Sequence, residues 1–499
     1  MIRLHAADNV AIARVALAAG AALRSASAAL AEDVPAGHKI ALRRIEAGQP
    51  VVKDNHVIGH ATRAIDAGTR VRPGDVAPAA TPPQAPLSSA VQLVAAAERA
   101  RFRGHVRPDG RVGTRNFIAV LVTVNCAATT ARMIADHFTA ERLAAYPNVD
   151  GVVALTHELG CGMEMTGEPM DLLRRTIAGY ARHPNVGGAV LCSLGCERNN
   201  IYGLLEKEKL APGPRLATLV MQEKGGTRKT VDEGIAAVEA MLPLVNEARR
   251  DRVSAAHLVV GLQGSGSDAF SELTTNPALG AAVDLLIGHG GTAIVSGTSE
   301  LHGMEPALAA RAASADVAAR LERRIRWWKE YSAGRDTPFN GRLTRSALAG
   351  GFTTSLERAA AAAKRWGRSP LAEVYEYAWP VTARGLVFMD TPSHEAVAAT
   401  GQIAGGANLV CMAAGHGTGF GSLPAPTIKL ASHTALYRRM QDDFDLDCGP
   451  ILDGEASVEA MGERIFEAML RHASGEKTRG EELGVGENEF VPWPIGLTA

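Results

Sequence analysis

From about Phe102 to the end of the chain, short apolar runs alternate with segments of helical periodicity. The runs "FIAVLVTV", "GVVALT", "GGAVLCSL" and "RLATLVM" are each followed by such a segment. After a charged break at 246–256, a second series contains "HLVVGLQ", "TAIVSG", "GLVFMD", "ANLVCMA" and "TIKLAS". Repeated βα units place helices on both faces of a mostly parallel sheet. We therefore predict two α/β domains, 102–248 and 249–499.

The first 76 residues have a different pattern, in which short apolar runs such as "HKIALRRI" are separated by turns that contain Gly and Pro. Such spacing is typical of short strands in a compact β domain. Residues 77–101 begin with "APAATPPQAPLSSA", which lacks any period and indicates an extended linker. The predicted fold class is multidomain α/β, with a small β-rich domain at 1–76 ahead of the two α/β domains.

Charge and composition exclude several classes of partner. The 52 Lys and Arg residues balance 53 Asp and Glu residues, so no net field attracts a nucleic acid. The polar N-terminus does not resemble a signal peptide, and no stretch has the ~18 apolar residues of a spanning helix. Six cysteines without a CxxC pair fit reduced thiols. We expect a cytoplasmic protein with a small-molecule substrate, no membrane partner, and a homodimeric or higher homo-oligomeric state.

Gly-rich turns and polar residues fall where the predicted strands end. Ligands of open α/β sheets bind outside the carboxyl ends of the strands. We therefore expect one crevice to gather the polar residues at these ends, which are Asn125, His157, Cys161, Cys196, Arg228, Ser267 and His416.

Two of these turns, "THELGCGME" and "LGCERNN", combine thiol, imidazole and carboxylate groups. These are ligand types for a divalent transition metal, and the candidates are Cys161, Cys196, His157 and Glu197. The alternative is that both cysteines pack in the interior and the carboxylates are solvated.

Two further turns offer cationic and amide donors. "KGGTRKT" opens a predicted helix with Thr227, Arg228 and Lys229, which suits a carboxylate or phosphate; a capped basic turn is the alternative. "GRVGTRNF" places Arg115 and Asn116 before a strand, where an ordinary turn is an equal alternative.

Several motifs together resemble the altronate/galactarate dehydratase family. They include "GRVGTRNFIAVLVTVNC", "GCGM", "LGCE", "GGTRKTVDEGI", "ATGQIAGGANLV" and the closing "ASGEKTRGEELGVGENEFVPWPIG", and they span nearly the whole chain in order. The N-terminal segment resembles the small β-clip-like SAF domain of that family. The resemblance implies metal-assisted dehydration of a sugar acid to a 2-keto-3-deoxy acid. It also implies Fe²⁺ or Mn²⁺ as cofactor, with an incompletely ligated iron–sulfur cluster as the alternative.

The resemblance also implies roles for individual residues. Cys161 and Cys196 would bind the metal, with His157 or Glu197 as helpers. Either His38 or Lys39, brought over the crevice by the β domain, would be the base, and His157 is a further catalytic candidate. The substrate carboxylate and hydroxyls would be bound by residues from several turns, namely Arg115, Asn116, Asn125, Thr227, Arg228, Lys229, Gln402, Asn408 and Lys429.

The sequence departs from the family pattern in three loops. Gly264 in "LQGSGSDAFSE" stands where the family has a cysteine, "VRPGDV" replaces the His-containing end of the SAF segment, and "THELGCG" introduces Glu158 and Leu159. We therefore expect an altered substrate. The alternatives are a C–S lyase acting on a sulfonated 2-hydroxy acid such as 3-sulfolactate, and a catalytically silent sugar-acid-binding paralogue.

Overall fold

The computed structural model describes residues 1–23, 29–78, 89, 91–301, 303–334 and 343–495. The β-strands in this part of the chain are β1 (Val10–Ile12), β2 (Lys39–Ala41), β3 (Pro50–Lys53), β4 (His56–Ala61), β5 (Arg70–Val71), β6 (Val76–Ala77), β7 (Arg101–Val106), β8 (Val112–Gly113), β9 (Phe117–Val122), β10 (Gly151–Leu155), β11 (Val186–Ser193), β12 (Leu216–Val220), β13 (Arg250–Ser254), β14 (Val259–Ser265), β15 (Thr292–Val295), β16 (Leu371–Tyr375), β17 (Gly385–Met389), β18 (Leu409–Ala414), β19 (Thr427–Ala431) and β20 (Leu446–Asp447).

The α-helices in the same part are α1 (Ala128–Asp136), α2 (Ala140–Leu143), α3 (Glu168–Ala181), α4 (Ile201–Glu208), α5 (Met221–Lys224), α6 (Thr227–Asn246), α7 (Ala269–Leu273), α8 (Thr275–Gly288), α9 (Glu305–Ala309), α10 (Ala315–Ser332), α11 (Arg345–Ala349), α12 (Ser355–Ala363), α13 (Glu395–Ala404), α14 (Thr434–Arg439), α15 (Pro450–Asp453), α16 (Val458–Ala473) and α17 (Arg479–Glu482). Within the described ranges, no helix combines the length and apolar character needed to cross a bilayer.

The N-terminal segment forms the predicted β-rich domain. Its strands pair antiparallel in two three-stranded sheets, ordered β1-β2-β5 and β3-β4-β6. Val10, Ala41, Val51, Ile58 and Val71 form its small apolar core. A core of this size buries little surface, so contacts with the rest of the chain matter for its stability.

The predicted linker and the predicted charged break both contain ordered structure. Residues 79–88 and 90 of the linker lie outside the described part. The Val94 N–H donates to the carbonyl oxygen of Gly288, which places this part of the linker against the end of α8. The break contains β13, which pairs antiparallel with β7 in the order β13-β7-β8. The strand before the first α/β unit therefore pairs with the strand after it.

The first α/β unit is built on a four-stranded parallel sheet ordered β10-β9-β11-β12. Alternate residues of β9 point to opposite faces, so Ile118 and Val120 pack with α1 and α6, while Leu121 packs with α3. On that second face α3 lies against α13. A Cβ atom on Gly179 would be 2.4 Å from the carbonyl oxygen of Ala404, so glycine allows this close approach.

The second α/β unit is a seven-stranded parallel sheet ordered β16-β17-β15-β14-β18-β19-β20. The chain runs from β14 to β15 and β17 on one side and then returns to β18 on the other side of β14. The strand order therefore reverses between β14 and β18. These sheets confirm the predicted fold class.

Candidate functional site

Ligands of parallel α/β sheets bind at the carboxyl ends of the strands where the strand order reverses, which here is between β14 and β18. We call this position the β14–β18 crevice. The Gly415 N–H donates to the carbonyl oxygen of Ser265, which continues the pairing of β14 and β18 up to this position. Asp268 caps α7 by accepting the Ser271 N–H at 2.6 Å. The Nε2 atom of His416 lies 2.9 Å from the carbonyl oxygen of Ser346. Asp268 and His416 thus stand at the same end of the two central strands.

Two chain segments cover this crevice, the Ser346–Gly351 segment and the β-domain turn at Gly37. A Cβ atom on Gly350 would lie 2.7 Å from Cβ of Asp268 and 3.2 Å from Nε2 of His416. A Cβ atom on Gly351 would lie 2.2 Å from the carbonyl oxygen of Gly37, and its φ of +95° already favours glycine. The close approach of three backbones here depends on these glycines.

His38 lies beside this crevice with both ring nitrogens engaged. Its Nε2 is 3.1 Å from the carbonyl oxygen of Ala349, and its Nδ1 is 3.0 Å from Nη2 of Arg70. Arginine only donates, so Nδ1 accepts and Nε2 carries the proton. Burial, reinforced by the Arg70 charge, lowers the pKa of His38 to about 4, so the ring is neutral at neutral pH. The sequence-predicted base is therefore near the crevice, but in this conformation it lacks a free nitrogen.

Lys39, the other predicted base, belongs to a buried ion network between the β domain and the seven-stranded unit. Its Nζ donates to Gly351 O at 2.6 Å and to both Glu357 carboxylate oxygens at 2.8 and 2.9 Å. Lys53 also pairs with Glu357, and it pairs with Glu272 at 2.5 Å. Burial lowers the pKa of Lys39 to about 8, against the opposing effect of Glu357. These contacts hold the β domain over the crevice.

The Asp268 carboxyl has the electrostatic character of a proton-transfer group. Burial raises its pKa, while the Ser271 hydrogen bond and the nearby His416 and His433 rings oppose that rise. Burial also lowers the pKa of His433, the first residue before α14. A carboxyl whose pKa is raised holds its proton to a higher pH than an exposed carboxyl does, which is a property of groups that transfer protons.

A second group of predicted residues lies at the carboxyl edge of the four-stranded sheet. Cys126, Cys161 and Cys196 are exposed in the loops that follow β9, β10 and β11. The Asn125 N–H donates to Leu159 O in the next loop, which ties the first two loops together. Among the residues that the structure describes, no three His, Cys, Asp or Glu side chains form a group that could hold a metal ion.

The two other predicted metal ligands make hydrogen bonds inside the protein. Nε2 of His157 lies 3.0 Å from Val122 O, its Nδ1 accepts the Leu159 N–H, and burial lowers its pKa to about 4. Glu197 accepts the Thr123 hydroxyl at 2.6 Å, the Gly195 N–H at 2.7 Å and the Ser193 hydroxyl. Cys161 and Cys196 are thus the predicted ligands whose side chains remain accessible.

The predicted strand-end set divides between two sheets. Asn125, Cys161, Cys196 and the exposed basic turn at 227–229 lie along the four-stranded edge. Ser267 and His416 lie at the seven-stranded edge.

Four other predicted substrate ligands are buried and bonded to the framework. Arg115 pairs with both Glu481 carboxylate oxygens at 2.7 and 2.8 Å and donates to three backbone carbonyls. Asn116, Gln402 and Asn408 donate to backbone carbonyls of other segments. Contact with substrate would require these bonds to be exchanged.

Lys429, on β19, is fully buried, and its Nζ has no hydrogen-bond partner in the described part of the chain. The nearest carboxylate is that of Asp443, 3.7 Å from Nζ. Burial lowers the pKa of this lysine. Among the residues predicted to bind the substrate carboxylate, Lys429 is the one that is buried and whose ammonium group makes no hydrogen bond to the described residues.

Sequence reasoning missed a cationic group at the ends of β14 and β15. Nη2 of Arg365 lies 3.2 Å from Oε2 of Glu300, and Nη1 of Arg358 lies 3.7 Å from Oε1 of the same carboxylate. Glu300 follows the predicted strand "TAIVSG", so its position at a strand end was a usable signal. The arginines lie in α12 and the turn after it, and nothing in their local sequence indicates that this segment reaches the sheet.

A cleft of about 930 Å³ lies elsewhere, lined among others by His257, Val259, Thr292 and Arg384. These residues precede or begin β14, β15 and β17, so the cleft is at the amino ends of the strands. Since α/β sheets bind substrates at the carboxyl ends, we place the candidate active site at the β14–β18 crevice and not in this cleft.

The fold and the site, with a buried carboxyl and imidazoles at strand ends beneath a small β domain, are those of an α/β enzyme. Three family models match the chain: the altronate/galactarate dehydratase SAF domain at 1–77, the second domain of D-galactarate dehydratase/altronate hydrolase at 104–246, and the C-terminal domain of D-galactarate/altronate dehydratase at 255–498. The chain belongs to the galactarate/altronate dehydratase family and is an enzyme of the hydro-lyase class.

Three curated relatives extend this comparison. Galactarate dehydratase (L-threo-forming) of Escherichia coli K12 is 32% identical over 99% of this chain and 97% of its own length. Altronate dehydratase of Bacillus subtilis 168 is 28% identical over 96% of each chain. The (2R)-sulfolactate sulfo-lyase subunit beta of Chromohalobacter salexigens is 29% identical over 78% of this chain and 96% of its own.

Proposed function

We propose that the protein dehydrates a hydroxylated sugar acid to a 2-keto-3-deoxy acid in the β14–β18 crevice. The observation that carries this proposal is the position of Asp268 and His416 at the reversal of strand order, beneath the Gly37 turn and the Ser346–Gly351 segment. Asp268 is 4% exposed beneath these segments, whereas the His416 side chain is exposed, so the crevice is open to solvent on the His416 side.

Asp268 and His416 are assigned the proton transfers. One group removes the proton from the carbon next to the carboxylate, and the electron pair forms a double bond to the neighbouring carbon as its C–O bond breaks. The other group donates a proton to the departing hydroxyl, which leaves as water. The enol product then tautomerises to the 2-keto acid. The raised pKa of Asp268 suits a carboxyl that carries a proton in one step and releases it in another.

Dependence on Fe²⁺ or Mn²⁺ is also a proposal. A bound divalent metal would supply a Lewis acid. Cys161 and Cys196 offer exposed thiols for such an ion, but the described residues bring no third His, Cys, Asp or Glu side chain to them, so these two thiols would be the protein's only ligands there. His157 and Glu197 fit less well, because their polar atoms are engaged in holding loops together. No step assigned to Asp268 or His416 depends on this ion.

The comparisons favour loss of water over loss of sulfite. The two dehydratases named above align with at least 96% of this chain, whereas the sulfo-lyase subunit aligns with 78%. A C–S lyase would remove the same α-proton but release sulfite, and the test below distinguishes it from a dehydratase.

The test is a screen of aldonates, aldarates and sulfonated 2-hydroxy acids for 2-keto acid formation, with separate detection of sulfite. On the acid that is converted, Asp268→Asn and His416→Gln should each lower kcat by about 10² to 10⁴. Asp251→Asn, the same change at an exposed strand position, should leave kcat unchanged. Release of sulfite would show that the protein is a C–S lyase and not a dehydratase. Binding of an acid without turnover, or wild-type kcat in Asp268→Asn, would overturn the proposal.

A further inference from the structure

Arg365 is a buried cation at the end of the central strand of the seven-stranded sheet. Its side chain is 5% exposed, and it lies in the short 3-10 turn Lys364–Trp366. A Cβ atom on Gly280 of α8 would lie 2.2 Å from Lys364 O, so the turn packs directly on that helix. The backbone that carries Arg365 is therefore fixed by close packing.

The Arg365 guanidinium occupies the space above Gly264. A Cβ atom on Gly264 would lie 2.3 Å from Nη1 of Arg365 and 3.1 Å from its Cζ. The clash is with the end of a flexible side chain and not with backbone. Alanine at 264 would therefore leave the strand in place and displace the guanidinium. Glycine at this position is what gives Arg365 its place at the strand end.

The charges in this group do not balance. Nη2 of Arg365 and Nη1 of Arg358 both face the single Glu300 carboxylate, at 3.2 and 3.7 Å. Arg365 donates to Glu300 through Nη2, and its Nη1, the atom beside Gly264, makes no hydrogen bond to the described residues. Nε of Arg358 is buried without a partner in the same part of the chain. One carboxylate thus meets two guanidinium groups. The Nη1 donor of Arg365 can therefore bind a second carboxylate.

The strand at whose end this group lies leads to the proposed reaction centre. Gly264 is followed four residues later by Asp268, and Glu300 lies in the loop after the neighbouring strand β15. A Cβ atom on Gly297 would lie 3.7 Å from Oε2 of Glu300 and 3.9 Å from Oγ of Ser393. The loops after β15 and β17 thus place small and hydroxyl-bearing residues beside the cations.

We infer that Arg365 binds the carboxylate of the acid substrate, with Arg358 beside it, and that Gly264 is the residue that makes this subsite possible. The inference rests on the proposed function for the identity of the acid. It assigns substrate specificity to a pair of positions 101 residues apart in the sequence. An acid would be held by its carboxylate at the end of β14, the strand that is followed by Asp268.

The test compares Arg365→Lys, Gly264→Ala and their double variant. Loss of a paired, charge-assisted contact corresponds to a rise in KM of about 10- to 100-fold, with a smaller change in kcat. The double variant should show much less than the product of the two single effects, because both changes remove the same contact. Arg368→Lys, the same substitution at a side chain that is 72% exposed, is the control and should leave KM unchanged.

Direct binding separates this inference from the proposed function. Calorimetric titration uses galactarate, altronate and the uncharged amide of altronate as probes. The expected result is that Arg365→Lys weakens binding of the acids and leaves that of the amide unchanged. Binding of acids that depends on Arg365 but is not followed by turnover would overturn the proposed function and keep the subsite. Turnover with wild-type KM in Arg365→Lys, equal weakening of acid and amide binding, or failure of every acid to bind would overturn the subsite.

Discussion

Substitution of Glu357 by Gln should loosen the β domain from the seven-stranded unit. The carboxylate is 1% exposed and accepts hydrogen bonds from both Lys39 and Lys53, which are themselves 1% and 3% exposed. Removing it leaves two ammonium groups facing each other with the charge of Glu272 alone to oppose them. Breaking a buried pair by removing one partner costs about 3–5 kcal/mol.

Hydrogen exchange measures this loss without requiring two-state unfolding of the whole chain. The Ala41 N–H donates to Thr69 O inside the β domain, so it exchanges when that domain opens. Docking stabilises the domain by mass action, and a loss of about 3–5 kcal/mol should raise the exchange rate by about two to three and a half powers of ten.

Glu46→Gln is the matched control for this experiment. Its ion pair with Arg44 lies in the same domain, but the two side chains are 55% and 56% exposed. Surface pairs contribute about 0–1 kcal/mol, so exchange should change less than about fivefold. Equal exchange rates in Glu46→Gln and Glu357→Gln would refute the reasoning.

Two further predictions concern pH and metal binding. Burial lowers the pKa of His157 to about 4 and that of His183 to about 3, from an ordinary value of 6.5. Between pH 6.5 and pH 4, both histidines are therefore protonated in the unfolded chain but neutral in the native protein. Melting temperature should therefore fall as pH is lowered from 6.5 towards 4, and His183→Asn should flatten the fall; a rise would contradict the assignment. Alanine at both Cys161 and Cys196 should lower metal affinity by more than the roughly 10–100-fold loss caused by an outer-shell substitution. Unchanged metal content would refute that site, and Cys448→Ala is the control.

The sheets could be predicted because their signal is local. Each βα unit is recognisable as an apolar run followed by a helical segment. Alternate residues of "FIAVLV" pack on the two faces of β9. Strand β13, "RDRVS", was missed because it carries mostly polar residues and pairs with β7, about 150 residues earlier. Pairing at that distance leaves no pattern in either segment.

The site could be predicted only in part. The position of His38 over the crevice depends on ion pairs such as that between Lys39 and Glu357, which are 318 residues apart. Gln402 and Asn408 lie in a Gly-rich turn motif that does not show that their side chains are buried. The sequence therefore suggested that these amides bind substrate, whereas they bind the protein's own backbone. Arg365 reaches the sheet through the packing of α12 and α8, which sequence periodicity does not describe.

The most direct measurement is a crystal structure of the protein with the sugar acid that it converts. The account predicts that the acid lies in the β14–β18 crevice, with its carboxylate on Arg365 and its reacting carbons between Asp268 and His416. An acid bound instead at the four-stranded edge, against Cys161 and Cys196, with the β14–β18 crevice free of ligand, would contradict the account.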